Sequence, residues 1–272
     1  MAQFAIIIPF RPKAESVDWT RESDLLKQTI QSILQQTYPG YRVYVVYTDM
    51  PENTVTDSRI EYIEFPYGHQ SYEEIDHREE LLLLFKSSKM VVRRWDKARK
   101  LTYGSKLAKE ASCDFIMALD ADDLLSNRFL TFLATEAKEK NCKGWYMDRG
   151  YLYKEHTNYL MRISKQMRYL NGSTHVLHAD LVKIPDFSSD DWQDYNLFTD
   201  HGWVKQRVLE QQGADLQPIP FEALVYVVHK SNISKVHKKE YGLTFKNVIK
   251  KIVRGVWLSN KLRKEFGIGV NN

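Results

Sequence analysis

The sharpest chemical signal in this sequence is Asp120-Ala121-Asp122-Asp123, which follows directly on the apolar run Phe115–Leu119. In extended chain, residues i and i+2 project to the same side, so Asp120 and Asp122 would present two carboxylates together. Carboxylates held that close repel unless a cation lies between them. Mg²⁺ or Mn²⁺ bridging to a diphosphate is the expected occupant. The end of a buried strand is also where open α/β sheets bind their ligands. The plainer alternative is a loop whose acids cap a helix beginning near Asn127. Glycine cradles for phosphate are missing, with no GxxxxGK[ST] and no GxGxxG after the first apolar run. A bound phosphate would therefore be held by metal and side chains. HExxH, CxxC and GxSxG are absent as well.

These acids need a frame, and the periodicity supplies one. Phe4–Ile8 is a continuous apolar run, as expected of a strand buried on both faces of a parallel sheet, and Pro9 ends it. Leu25, Leu26, Thr29, Ile30, Ile33 and Leu34 recur at helical spacing, with Ser23 or Asp24 as the predicted N-cap. Tyr38-Pro39-Gly40 is a turn, and Tyr41–Tyr47 reads as a second strand, so a right-handed βαβ unit is expected. Ile60–Phe65 reads as a third strand. The acid-rich stretch Tyr72–Met90 predicts a helix, and Lys97–Ala111 a second one leading into the strand Phe115–Leu119. A further helix is predicted over Arg128–Lys140. Beyond Gly144 the pattern loosens into short aromatic-rich strands and loops. The fold class is α/β.

Composition bounds the rest. A chain of 272 residues with 43% hydrophobic and 27% charged residues is globular, not disordered. Cys113 and Cys142 form no disulfide framework, which points to a reducing compartment. The opening apolar run is too short for a signal peptide or membrane span. The net charge is +4, but Lys235–Glu265 holds ten Lys/Arg against two acids, +8, which leaves −4 on the remainder. An anionic partner for that basic stretch is expected.

The ordered set FAIIIPFR, SILQQTYPGYRVYVVYTD and KARKLTYGSKLAKEASCDFIMALDADD resembles the inverting glycosyltransferase family two. The likeness covers residues 4–50 and 97–135 closely, and more loosely the stretch to about 234. It implies a GT-A type, Rossmann-like mixed sheet flanked by helices. The implied domain is 1–234, with 1–123 as the nucleotide-binding half and 124–234 as the acceptor-binding half. The implied activity moves a sugar from a nucleotide-diphosphate donor, a UDP-sugar, to an acceptor hydroxyl of a glycan or lipid-linked glycan, with Mn²⁺ or Mg²⁺. By the same resemblance Pro9 and Arg11 lie beside the nucleotide, and Asp49 reads the base, a carboxylate accepting from a uracil ring N–H. The plainer role of Asp49 is a turn residue before Met50-Pro51. Lys97, seven residues before Gly104, matches the helix lysine that faces the diphosphate; the alternative is one solvated charge among Arg93, Arg94, Arg99 and Lys100. Asp120 would approach the ribose or the metal, and Asp122 the metal.

Two later motifs complete the implied site. Thr199-Asp200-His201-Gly202-Trp203 resembles the family's "ED" pair with Thr199 in place of glutamate. Transfer to a hydroxyl needs a base, and Asp200 is the candidate. The departure at Thr199 leaves Asp194, Asp191 and His201 open, and a helix N-cap is the plain role of Asp200. His229-Lys230-Ser231-Asn232-Ile233-Ser234 matches the family's H-x-x-N-x-S, whose histidine completes the metal site; an imidazole suits Mn²⁺ better than Ca²⁺. His175 and His178 are acceptor-side candidates with an ordinary structural role as the alternative.

The stretch 235–272 is expected as a basic amphipathic helical extension, with Leu243, Phe245, Val248, Ile249, Ile252, Val253, Val256 and Trp257 among lysines. Such a helix either lies on an anionic membrane surface or packs on the body. Its aromatics are too sparse for nucleic acid, which is not an expected partner. The expected location is cytoplasmic, with a peripheral place at the inner face of a membrane if the tail binds there. Two other readings stay open: a nucleotidyltransferase on a similar sheet, and a non-catalytic module that binds anionic membrane.

Overall fold

A computed structural model describes residues 1–138, 142–189, 191–229 and 253–269. Its first sheet grows from the apolar runs. Phe4–Pro9 (β1) pairs in parallel with Tyr41–Tyr47 (β2), which pairs in parallel with Ile60–Glu64 (β3). Phe115–Ala118 (β4) lies in parallel on the other side of β1. Short strands Gly144–Tyr146 (β6), His175–His178 (β9) and Gln217–Pro218 (β10) extend that side, giving the order β10-β6-β9-β4-β1-β2-β3.

Alternation along β1 decides what covers each face. Phe4, Ile6 and Ile8 pack with Leu26, Ile30 and Ile33 of the helix Trp19–Leu34 (α1). Ala5 and Ile7 pack with Val91, Trp95, Ala98 and Leu101 of the helix Ser88–Glu110 (α3). Gly104 makes the second contact possible, because a Cβ there would overlap Ile7 Cγ2 and meet Val46 Cγ2 at 3.2 Å.

The helices differ from expectation at their starts. The N-cap of α1 is Asp18, whose carboxylate accepts from the Arg21 N–H at 3.0 Å, while Ser23 lies inside the helix. The first turn lacks the apolar repeat that marks the rest, so the pattern starts late. The predicted helix over 72–90 is a 3₁₀ turn, Tyr72–Glu74, and a helix, Arg78–Phe85 (α2). Lys86, at φ 58°, closes α2 in the left-handed region, and α3 begins at Ser88, well before Lys97. Phe129–Glu136 (α4) falls within the predicted 128–140.

A second sheet, in the order β12-β8-β7-β11-β5, is built from Asp123–Leu125 (β5), Gly150–Lys154 (β7), Tyr159–Ile163 (β8), Leu224–Val228 (β11) and Gly255–Trp257 (β12). Met167–Leu170 (α5), Asn196–Thr199 (α6) and Val204–Gln212 (α7) complete the second half. The architecture is mixed α/β, two mixed sheets flanked by helices.

Most of the predicted amphipathic stretch 243–257 lies outside the described residues. Where described, the stretch is helical at Val253 and Arg254 and then passes into strand β12, Gly255–Trp257, paired antiparallel with β8. The helix Asn260–Phe266 (α8) follows, and Leu258, Phe266 and Ile268 are buried against Leu25, Tyr151 and Val225. Glu265 accepts from Ser126 Oγ at 2.7 Å and from Arg128 Nε at 3.0 Å. This part of the tail is therefore built into the body. Among the described residues no helix is long and apolar enough to cross a membrane.

Candidate functional site

The chain runs from β1 outward to β2 and β3, then crosses by way of α3 to β4 on the other side of β1. At such a reversal the loops after two adjacent strands diverge, and a crevice opens at their carboxyl ends. A cavity of about 260 Å³ occupies this place. It is lined by Pro9, Phe10, Arg11 and Pro12 after β1, and by Asp120, Ala121 and Asp122 after β4. The first half of α3 adds Met90, Arg93, Arg94, Asp96 and Lys97. Residues 66–96 thus contribute a wall.

The acidic segment is a turn, not extended chain, and this corrects the expected geometry. The Asp123 N–H donates to the Asp120 carbonyl at 3.2 Å, so the alternation that would align Asp120 with Asp122 does not apply. The two carboxylates take different partners. Asp120 Oδ1 accepts from Lys97 Nζ. Asp122 Oδ2 lies 2.8 Å from His229 Nε2. Register explains the second pair: β11 runs antiparallel to β5 with Tyr226 opposite Asp123, which carries His229 back past the turn. The acids cap no helix either, since α4 begins at Phe129 after Arg128.

Asp123, the third acid of the run, is fully buried and opens β5. Its Oδ2 accepts from Asn171 Nδ2 at 2.7 Å and from the Ser173 hydroxyl. Burial, and then the charges of Asp122 and Asp120, push its carboxyl well above the ordinary range. Ser173 Oγ in turn accepts from the Asp120 N–H at 2.8 Å. The network fixes residues 171–173 against the turn, and Gly172 completes the wall where a Cβ would come 2.8 Å from Lys97 Nζ. No pattern in the sequence marked 171–173 as part of the site.

Arg93, Arg94 and Lys100, near Lys97 on α3, are partnered instead of solvated. Arg93 Nε donates to Glu15 Oε2 at 3.1 Å, and Arg94 donates to the Thr199 carbonyl at 3.2 Å. Lys100 is completely buried, with Nζ donating to the Phe10 carbonyl at 2.8 Å and to Asp96 Oδ2 at 3.0 Å. Burial pulls its ammonium below the usual lysine range, and Asp96 opposes that shift. Across the cavity, Arg11 donates to Glu22 Oε1 at 2.7 Å. Glu15, Glu22, Asp96 and His69 are lining residues that sequence reasoning missed; the one available signal was the opposite charges of Asp96 and Lys100 at i,i+4 on a helix.

The structure gathers Pro9, Arg11, Lys97, Asp120, Asp122 and His229 in this one cavity. Asp49 and Asp200 are not among its lining residues. Asp49 Oδ2 accepts from the Lys13 N–H at 2.8 Å, a loop-fastening role. Asp200 follows α6, and its Oδ1 accepts from the Gly202 N–H at 3.1 Å. Thr199 links Asp200 to the cavity through its carbonyl bond from Arg94. Asp191 and Asp194 are held by Gln193 N–H and Ser189 Oγ away from the lining, and the side chain of His201 lies outside the described residues. His175 is buried on β9 beside Thr174 Oγ1, and His178 Nδ1 accepts from the Asp180 N–H, so neither lines the main cavity.

Among the described residues no three His, Cys, Asp or Glu side chains form a metal-holding group, and Asp120 is joined to Lys97, so the expected three-ligand set is not assembled. Asp122 and His229 remain as one carboxylate and one imidazole within 2.8 Å. That pair fits Mn²⁺ or Mg²⁺, which bind through one or two side chains while substrate phosphates and water fill the other positions.

No family model matches the chain, and no curated protein matches it in sequence. Among solved structures, residues 1–349 of S. aureus TarS in complex with UDP give a TM-score of 0.48 at 10% identity, over 92% of this chain and 72% of that one. The same protein with UDP-GlcNAc gives 0.44 at 9% identity, over 98% and 73%. A Desulfovibrio desulfuricans G20 protein, provisionally named a nucleotide-diphospho-sugar transferase, gives 0.39 at 8% identity, over 93% and 96%. All three scores lie below 0.5, and the chemistry of the cavity stands on its own residues.

Proposed function

We propose that this protein is an inverting glycosyltransferase that moves a sugar from a nucleotide-diphosphate donor, a UDP-sugar, to an acceptor hydroxyl of a glycan or lipid-linked glycan. The observation that carries the reading is the convergence of Lys97, Arg11, Asp120, Asp122 and His229 on one cavity at the reversal point of the sheet. Lys97 and Arg11 are placed to hold diphosphate oxygens, since guanidinium and ammonium donors form charge-assisted bonds with phosphate. The lining counts four cationic side chains, Arg11, Arg93, Arg94 and Lys97, against five carboxylates, Glu15, Glu22, Asp96, Asp120 and Asp122. A diphosphate entering that balance meets no net positive charge from the protein, which supports a divalent cation at Asp122 and His229. When bound, the cation would neutralise charge on the departing diphosphate.

Asp200 is the proposed base for the acceptor hydroxyl. It follows the carbonyl of Thr199, which Arg94 of the cavity grips, and is not itself a lining residue, which suits an acceptor arriving from outside. Thermal denaturation with UDP, GDP and their sugars, with and without Mn²⁺, is the first test, because a ligand that binds the native state raises the melting temperature. Product analysis is the second. Release of UDP supports sugar transfer, and release of pyrophosphate from a nucleoside triphosphate indicates a nucleotidyltransferase. Asp200→Asn is expected to abolish transfer, by at least ~10²-fold, while leaving Mn²⁺-dependent UDP binding intact. Loss of UDP binding in that variant would remove Asp200 from the role.

A further inference from the structure

We propose that Asp96, with His69 beside it, reads the nucleobase, and that Asp49 does not. The inference rests on the nucleotide-sugar reading above and specifies which bases the site admits. Asp49 accepts from the Lys13 N–H through Oδ2 and is not among the residues that line the cavity. Asp96 is in the lining, its side chain only 9% exposed. One of its oxygens, Oδ2, is fastened by the buried ammonium of Lys100, which is itself fastened to the carbonyl of Phe10 at the end of β1. Asp96 is therefore held rigidly against the strand whose end opens the cavity.

The other oxygen, Oδ1, is buried and makes no hydrogen bond. His69 Nδ1 lies 3.7 Å from it across the gap, and is also buried and makes none. That distance is too long for a hydrogen bond. Two buried polar atoms left without bonds are expensive, and a site that completes them gains what the protein alone lacks. The chain next to His69 is anchored by Gln70, whose Oε1 accepts from Trp95 Nε1 at 2.6 Å and from Arg99 at 2.5 Å, while the His69 ring itself is not fastened through Nδ1. The loop after β3 is thus pinned to α3 on either side of the gap.

A carboxylate oxygen beside a ring nitrogen that carries a proton in one tautomer is an acceptor next to a donor. The complementary ligand edge is a ring N–H next to a carbonyl. Uracil, thymine and guanine have that edge. Cytosine and adenine present a ring-nitrogen lone pair next to an amino group, which sets a lone pair against the carboxylate. The more exposed His69 ring, at 19%, turns to admit the edge, so that the N–H meets Asp96 Oδ1 and the carbonyl meets His69 Nδ1.

The test is calorimetric titration of the full chain, in Mn²⁺, with UDP, GDP, CDP and ADP. The wild type is expected to bind UDP or GDP at least about 10-fold more tightly than CDP and ADP, the scale of one hydrogen bond to a charged group. Asp96→Asn should bring UDP and CDP to within about 3-fold of each other. Because Asp96→Asn also takes the counter-charge from Lys100, His69→Phe is run beside it. That variant leaves the Asp96–Lys100 pair intact, should lower the UDP-to-CDP ratio as well, and decides the question if Asp96→Asn does not fold. Equal binding of all four nucleotides by the wild type overturns the base reading and leaves a nucleotide site standing. So does discrimination that survives Asp96→Asn and His69→Phe but disappears in Asp49→Asn. Binding of none of the four overturns the glycosyltransferase reading itself, and this inference with it.

Discussion

Replacing Gly172 by alanine perturbs the cavity wall at the point where the two halves of the chain meet over the Lys97–Asp120 pair. The new Cβ would lie 2.8 Å from Lys97 Nζ and 3.2 Å from Asp120 Oδ2, where ordinary contact begins at 3.4 Å. The loop cannot yield, because Ser173 N–H donates to Asn171 Oδ1 at 2.6 Å and the Ser173 hydroxyl is tied to both Asp123 and the Asp120 N–H. Lys97 Nζ is the flexible end and must retreat by at least about 0.6 Å. Gly172 has no left-handed backbone to strain, and alanine restricts the unfolded chain, so folding stability should change by no more than ~1 kcal/mol. Binding is where the change should register. A charge-assisted bond is worth ~1.5–3 kcal/mol, and losing roughly half of one weakens a nucleotide diphosphate by ~3- to 10-fold. Calorimetric titration with UDP and thermal denaturation, run on the same two proteins, separate these effects. Unchanged UDP affinity in Gly172→Ala would refute the assignment of Lys97 and Asp120 to the diphosphate. A collapse of the melting temperature would instead make Gly172 a folding residue.

Three other outcomes follow from the same coordinates. Gly104→Ala forces a methyl into Ile7 Cγ2 and Val46 Cγ2, both in the core, and should destabilise by ~1–3 kcal/mol, read as a lower urea midpoint with an unchanged slope. His229→Ala removes the imidazole from Asp122 and should erase most of the Mn²⁺ enhancement of UDP binding, a loss of ~10-fold or more; an enhancement that persists would take His229 out of the metal site. Hydrogen bonds from the Arg59 guanidinium, and then its backbone N–H, lower the Asp57 carboxyl to about 2, so this pair stabilises the fold above the unfolded value of 3.8 and the gain disappears as pH falls toward about 2. With a quarter-exposed pair screened by solvent, Asp57→Asn should lose only ~1 kcal/mol or less at neutral pH, and its acid unfolding curve should be flatter than wild type between those two values.

Local pattern carried the first half of the fold. The strand Tyr41–Tyr47 matches its prediction residue for residue, and β1, β3 and β4 fall within one residue at their ends; β1 and β4 were legible because strands buried on both faces are apolar runs, and the half-buried edge strand β3 because its apolar residues are β-formers. Helix starts were less legible. Trp19–Glu22 and Ser88–Asp96 are polar or mixed turns whose helical state depends on Phe10 against Trp19, and on Val91, Val92 and Trp95 reaching the sheet from afar. The second half, made of strands two to five residues long, offered too little period to read.

Sequence alone determined that an acidic segment would follow a buried strand at the ligand-binding edge of an α/β sheet, because residue types and strand ends are local facts. Only the tertiary structure decided which basic side chain each acid meets. Asp120 turned to Lys97 from α3, and Asp122 to His229 from β11, more than a hundred residues away in the chain. Folding likewise left Asp49 on a loop amide and buried Lys100 beneath the end of β1. A charge is placed by the partner that offsets its desolvation, and that partner is chosen by topology, which short-range pattern does not encode.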